Sequence, residues 1–274
     1  MSNKKNSLFN EKGRLNLDVA ERTLLNQGEY LYEPASETYF FFNGRFYCPV
    51  HAIVFEKRIN DLLGPYVRES ESKTLLTRFT RRIALAHPLR EQMHQNLVNL
   101  LNGVLDLSNP EEVKLLPHSS DYTFYNCVST HYDPAAQCRE WKRFLNTITQ
   151  GDRELIKLIQ EMFGYCLIPG NWMQTAFILI GGGGNGKSTL LEILRALLGG
   201  DNTSSLSFGE LDHRFKRAML RGKLANIADE APTSKEICSD VFKNLVSGGT
   251  ITAEEKNKPA FPLQNAAKII TAAN

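Results

Sequence analysis

One stretch, Ala176-Phe-Ile-Leu-Ile-Gly-Gly-Gly-Gly-Asn-Gly-Lys-Ser188, constrains this chain more than any other. Ala176–Ile180 is a short, wholly apolar run, the mark of a strand buried on both faces. It leads straight into Gly181–Ser188, and Thr189–Leu198 continues as a helix that Gly199-Gly200 ends. Strand, G-x-x-x-x-G-K-S and helix, in that order, is the context a phosphate-cradling loop requires. Glycines let successive backbone N–H groups turn inward around phosphate oxygens, in conformations a side chain would block. The helix N-terminus adds free N–H groups and partial positive charge. On this reading Gly181, Gly182, Gly183, Gly184, Asn185, Gly186, Lys187, Ser188 and Thr189 bind ATP. Lys187 reaches its β- and γ-phosphates, and the Ser188 hydroxyl ligates Mg²⁺.

A chance match to this pattern in a chain of this length is on the order of 1%. Gly181, Gly183 and Gly186 also satisfy G-x-G-x-x-G, so a dinucleotide fold is a formal rival. That fold needs a strand ending in an acid about 20 residues on, where this chain has the polar run Gly200-Asp-Asn-Thr-Ser-Ser205. Lys187-Ser188 also has no role in it, so the phosphate loop is preferred.

Such a loop needs an acid on a neighbouring strand. Lys223-Leu-Ala-Asn-Ile-Ala-Asp-Glu230 is a short, mostly apolar run ending in two carboxylates. Asp229 would hold the Mg²⁺ sphere through water, and Glu230 would polarise an attacking water as general base. A solvated strand end is the plain alternative. Further on, Ser239–Val246 reads as a helix, and Thr250–Glu254 and Ala260–Leu263 as a hairpin with Lys256 and Lys258 near its tip. Two lysines there suit phosphate-backbone contact with DNA; solubilising a loop is the alternative. Lys268–Asn274 is a last buried-type strand, whose Asn274 would orient the attacking water.

Length and composition frame these motifs. The 274 residues suggest about two domains. Thirty-two Lys plus Arg against thirty Asp plus Glu leave a formal charge of +2, which excludes a basic nucleic-acid-coating protein and an acidic tail. An apolar fraction of 42% and a charged fraction of 23% are ordinary globular values. Cys48, Cys127, Cys138, Cys166 and Cys238 are scattered, with no C-x-x-C pair. Cys48-x-x-His51 lacks a second metal pair, so both read as structural. No signal peptide and no membrane span is visible, and a cytoplasmic protein is expected.

The organisation expected is a flexible N-terminus (1–14), a mainly helical domain with an aromatic β-hairpin (15–135), and an α/β nucleotide-binding core (136–274). Leu15–Leu25 has helical spacing, and Ala52 to about Leu101 reads as three helices broken near Gly64-Pro65 and His87-Pro88. Asn43-Gly44 between Tyr39–Phe42 and Arg45–Cys48 favours a two-residue turn. The aromatic strands read as core in preference to a base-stacking surface. Eight basic residues lie in Glu56–Arg90 (Lys57, Arg58, Arg68, Lys73, Arg78, Arg81, Arg82 and Arg90). They read as a solvated face before a DNA contact. Short strands and turns occupy Asn102–Pro134, and Glu140–Tyr165 is helical again.

In this order the elements resemble a superfamily 3 helicase of the phage and plasmid primase-helicase type, related to the poxvirus nucleoside triphosphatase. Asn185-Gly-Lys-Ser188 matches that family's phosphate loop, Asp229-Glu230 its Walker B acids, and Ile269–Asn274 its motif C. Lys243–Thr252 with the lysine-bearing hairpin resembles its B′ segment. Asn102–Leu107, Leu116-Pro-His118, Tyr132-Asp-Pro134, Trp141 and Gly164-Tyr165 resemble its upstream helical domain. The resemblance implies an AAA+-like core, a homo-oligomeric ring (usually a hexamer), single-stranded or forked DNA in its channel, and replication proteins as partners. It also implies a phage or mobile-element source in a bacterial cell. Members continue past motif C with an arginine finger, so the expectation is a truncated core that binds ATP–Mg²⁺ but hydrolyses it poorly. Arg214, Arg217 and Arg221 form the nearest basic cluster. Two alternatives stand beside this reading: a small-molecule phosphotransferase with Asp212–Arg221 as its lid, and a non-catalytic nucleotide- or DNA-binding remnant.

Overall fold

Asn16 starts the first regular element: its side chain accepts from the Val19 N–H at 3.4 Å and caps helix α1, Leu17–Leu25. The computed structural model describes residues 7–10, 12–64, 68–86, 94–229 and 239–273. These fall into two units, Met1–Glu91 with Ser119–Thr123, and Gln92–His118 with Phe124–Asn274.

In the first unit α1 is followed by strands β1 (Tyr30–Glu33), β2 (Thr38–Phe42) and β3 (Tyr47–Val50), then helices α2 (Ala52–Leu63) and α3 (Glu69–Ala86). The strands form an antiparallel sheet in the order β1-β2-β3, so the aromatic hairpin is two thirds of a sheet. Its aromatics are core, as expected: Tyr39 stacks on Phe55 with centroids 4.8 Å apart, and Tyr30 meets Phe79 edge-on at 5.4 Å. The turn differs from the two-residue expectation. Phe42 pairs with Tyr47, leaving Asn43–Phe46 as a four-residue loop. The cause is the Asn43 side chain, whose Oδ1 accepts from the N–H groups of Arg45 at 2.9 Å and Phe46 at 3.0 Å.

Much of the basic face of this unit is occupied internally. Arg78 and Arg82 both reach the buried Glu21, at 3.0 and 3.4 Å, and Lys73 pairs with Glu69 at 2.6 Å. Arg58 donates to the Tyr30 hydroxyl at 3.0 Å and lies over the Phe41 ring. His51 caps α2 through Nδ1, and Cys48 Sγ accepts from Asn43, so both have structural partners. Arg90, Pro65, Cys238 and His87-Pro88 lie outside the described residues.

The second unit begins with an antiparallel sheet of β4 (Leu97–Leu100), β5 (Gly103–Asp106) and β6 (Lys114–Leu116). The third helix expected to reach Leu101 is therefore absent over 97–100, which pair as an antiparallel strand with β5. Helices α4 (Arg139–Ile148) and α5 (Arg153–Cys166) follow, the second capped by Asp152. Then come β7 (Phe177–Ile180), α6 (Lys187–Leu198), β8 (Thr203–Ser204), α7 (Phe208–Leu211), α8 (Arg214–Arg217) and β9 (Ala225–Ala228). The chain continues through α9 (Ser239–Ser247), the hairpin of β10 (Thr250–Ala253) and β11 (Phe261–Gln264), and β12 (Lys268–Ala273).

Strands β7, β12, β9 and β8 form a parallel sheet in that order. Strand β7 ends the sheet, which corrects the expectation that it is buried on both faces. Phe177 and Leu179 pack on the core, whereas Ile178 and Ile180 are 52% and 79% exposed. An apolar run five residues long does not distinguish an edge strand from a central one.

The core under this sheet joins Leu145, Ile159, Leu191, Leu194, Ile227 and Ile270 with Val98, Leu100 and Val128. Residues 92–118 and 124–135 thus belong with the α/β unit, and the chain divides near residue 91, ahead of the boundary expected at 135. A second cluster, including Leu211, Leu220, Leu245, Ile251, Phe261 and Ile269, holds the hairpin and α9.

Candidate functional site

Parallel pairing brings the ends of β7, β9 and β12 to one edge of the sheet. Thr271 of β12 is level with both Ile178 and Ala228, and the Gly181 N–H donates to the Ala273 carbonyl at 3.3 Å. The glycine-rich loop after β7 and the acid after β9 therefore emerge at the carboxyl edge, where open α/β sheets place their ligands.

The loop turns through positive φ at Gly184 (+74°) and again at Gly186, conformations that favour glycine. Gly186 has φ +85° and caps α6; a Cβ there would meet Ile148 Cγ2 of α4 at 2.6 Å. A Cβ on Gly181 would collide with the Asn185 side chain. Lys187, the first residue of α6, folds back over the loop. Its ammonium donates to the Gly182 carbonyl at 3.1 Å, to Asn185 Oδ1 at 3.2 Å, and to the Gly181 carbonyl. The cation is thus held over the loop by its own oxygens. Gly182–Asn185, Ser188 and Thr189 are exposed.

Across the edge, Asp229 follows β9 with its side chain 61% exposed. Arg195 of α6 reaches it: Nη2 donates to Asp229 Oδ1 at 2.7 Å and to the Ile227 carbonyl at 2.9 Å. Sequence reasoning missed Arg195. An arginine in the last turn of a helix reads as a partner for the helix dipole, and nothing local announces a bond to a strand 34 residues on. Glu230 and Asn274 lie outside the described residues.

Among the described residues no group of three or more His, Cys, Asp or Glu could cage a metal. A hydroxyl at Ser188 and one carboxylate at Asp229 instead suit a hard cation that keeps waters and phosphate oxygens, as Mg²⁺ does.

The hairpin lysines differ. Lys258 pairs with Glu255 at 2.5 Å, whereas Lys256 has no acid partner among the described residues. The basic segment before β9 is tied to the same hairpin. Arg214 pairs with Glu254 at 2.7 Å, Arg221 lies 4.5 Å above the Phe261 ring, and Arg217 donates to the Asp212 carbonyl at 3.0 Å.

Residues 21–150 match the family described as D5 N terminal like, and residues 179–274 match a family of unknown function (DUF5906). A candidate primase of African swine fever virus (Tick/Malawi isolate) is 25% identical over 190 residues, 65% of this chain and 20% of that protein. Its counterpart in a Warthog/Namibia isolate is 26% identical over the same length and shares. The chain spans about one fifth of the length of these curated relatives. The apo NrS-1 C-terminal region has a similar fold, with a TM-score of 0.60 at 15% identity over 93% of this chain and 56% of that one. The likeness to the NrS-1 region shows a shared fold, and the viral candidate primases are relatives over 65% of this chain. No helix among the described residues is long and apolar enough to cross a membrane.

Proposed function

We propose that the second unit binds ATP with Mg²⁺ on the Gly181–Thr189 loop, and that the chain is part of a superfamily 3 replicative DNA helicase. One observation carries the reading: Lys187 curls over a glycine-rich loop that opens a helix, at the sheet edge where Asp229 emerges. Among the described residues this ammonium pairs only with neutral oxygens, ready to exchange them for anionic phosphate oxygens, a stronger charge-assisted contact.

In this reading the loop N–H groups cradle the phosphates, Lys187 binds the β- and γ-oxygens, and Ser188 and Asp229 hold the cation's coordination sphere. Bound Mg²⁺ supplies positive charge to the phosphate oxygens. Glu230, next in sequence to Asp229, accepts the proton of the attacking water, and Asn274 orients that water. Lys256, at the hairpin tip, contacts the phosphate backbone of single-stranded or forked DNA, with Lys258 a lesser contributor because Glu255 holds it. A ring of copies around DNA and replication proteins as partners complete the proposal, with a phage or mobile element in a bacterial cytoplasm as its setting.

The phosphotransferase alternative needs a lid that closes on a second substrate. Asp212–Arg221 is pinned to the hairpin by the Arg214–Glu254 pair and anchored in the core by Leu211 and Leu220, which favours the helicase reading. Thermal melting with and without ATP–Mg²⁺ tests nucleotide binding; an unmoved transition favours the non-catalytic remnant. Phosphate release without an added acceptor, stimulated by single-stranded DNA, supports the helicase; release only with a small-molecule acceptor supports the phosphotransferase.

A further inference from the structure

We infer that Arg195 is a positioning residue that fixes Asp229 for the cation and thereby sets the Mg²⁺ requirement of nucleotide binding. The inference rests on the nucleotide reading above. Arg195 and Ser188 share α6 and lie seven residues apart, so two helical turns place them on one face. A single nitrogen, Nη2, makes both contacts, to Asp229 Oδ1 at 2.7 Å and to the Ile227 carbonyl at 2.9 Å. Nη2 carries two hydrogens, so each acceptor takes one and the carboxylate is indexed to the backbone of β9. Asp229 Oδ2 has no hydrogen-bond partner among the described residues and is left to meet a cation's water. Without the guanidinium, an exposed aspartate beyond the last residue of a strand has several rotamers, and only some face Ser188.

The pairing also has a charge consequence. A cation bound beside Asp229 must share the carboxylate with Arg195. A planar guanidinium that keeps hold of one oxygen while presenting the other suits this better than an ammonium. Support of this kind around a metal ligand typically carries tenfold to a hundredfold in metal affinity.

Titration of a fluorescent ADP analogue into the full chain, with and without MgCl₂, tests the inference and its premise separately. If wild-type protein does not bind the analogue under either condition, the nucleotide reading itself fails. Given wild-type binding, Arg195→Met should raise the Mg²⁺ midpoint about tenfold, with metal-free affinity within about twofold of wild type and Arg195→Lys intermediate. In an Asp229→Asn background Arg195→Met should add less than about twofold, because the arginine acts through the carboxylate. A Mg²⁺ midpoint within about twofold of wild type for Arg195→Met overturns the inference, as does a full tenfold loss in the Asp229→Asn background. If Arg195→Met does not fold, Arg195→Lys decides alone, and a midpoint equal to wild type overturns it.

Discussion

Arg195 of the helix that follows the glycine-rich loop bonds to Asp229 Oδ1 at 2.7 Å, tying that helix to the acid at the end of β9. The pair is partly exposed, with side chains 25% and 61% accessible, so its worth to stability is at most about 1 kcal/mol. Asp229→Ala should therefore leave the urea midpoint of the second unit nearly unchanged. Mg²⁺-dependent nucleotide affinity should fall by about tenfold to a hundredfold. A calorimetric titration at fixed nucleotide and varied Mg²⁺ measures this; equal affinity in the variant would remove Asp229 from the site.

The loop is stabilised where it meets α4. Gly186→Ala places a Cβ 2.6 Å from Ile148 Cγ2 at φ +85°. Strain plus overpacking should cost about 1–3 kcal/mol in urea unfolding. Adding Ile148→Ala should relieve the clash but not the backbone strain, so only part of the loss returns. Full restoration would mean the dihedral contributes nothing.

Lys268 gives a pH-dependent signature. Burial lowers its ammonium to about 8, below the ordinary 10.5, while its side chain lies over the Tyr165 ring and donates to the Ile168 carbonyl. The folded lysine loses its proton first, so between pH 8 and 10.5 the unfolded chain holds more protons and stability rises with pH. That gain is lost as pH falls through about 8. Neighbouring Cys166, pushed up to about 12 by burial, keeps its thiol proton here only in the folded chain, so above its ordinary 9.0 it works against this rise. Lys223, also lowered by burial, adds to the wild-type slope, so the readout is a difference. Lys268→Met should make the slope of urea midpoint against pH between 8 and 10 lower than in wild type; an unchanged slope would reject the assignment.

The hairpin lysines should separate in DNA binding. Lys256→Glu is expected to lower the log–log salt slope for single-stranded DNA by about 0.7 or more, one phosphate's share. Lys258→Glu should change it less, because Glu255 already holds that ammonium. Fluorescence anisotropy across a salt series reads both. Identical slopes for the two variants and wild type would take the hairpin out of the DNA interface.

Much of this architecture is written in local patterns. Gly181–Ser188 announces its loop through glycines such as Gly184 and Gly186, whose positive φ favours that residue, and Thr250–Leu263 announces a hairpin through alternation around a charged tip. What local patterns miss depends on the third dimension. The exposed Ile178 and Ile180 reflect the position of β7 in the sheet, which no single strand encodes. The four-residue turn at Asn43 arises from side-chain bonds that compete with the usual Asn-Gly geometry. Leu97–Leu100 looks like the end of a helix and Asn102–Pro134 like strands and turns closing the helical domain, yet Val98, Leu100 and Val128 pack with Leu145 and Leu198. Arg195 escaped notice because its partner is defined by sheet pairing alone.

A nucleotide site on the loop that holds the Lys187 ammonium should bind ATP–Mg²⁺ through that ammonium. Isothermal titration of ATPγS–Mg²⁺ into wild-type protein and Lys187→Ala tests it most directly. Binding should be saturable and one-to-one for wild type and absent for the variant, with unchanged circular dichroism. Equal affinity for both proteins would contradict it.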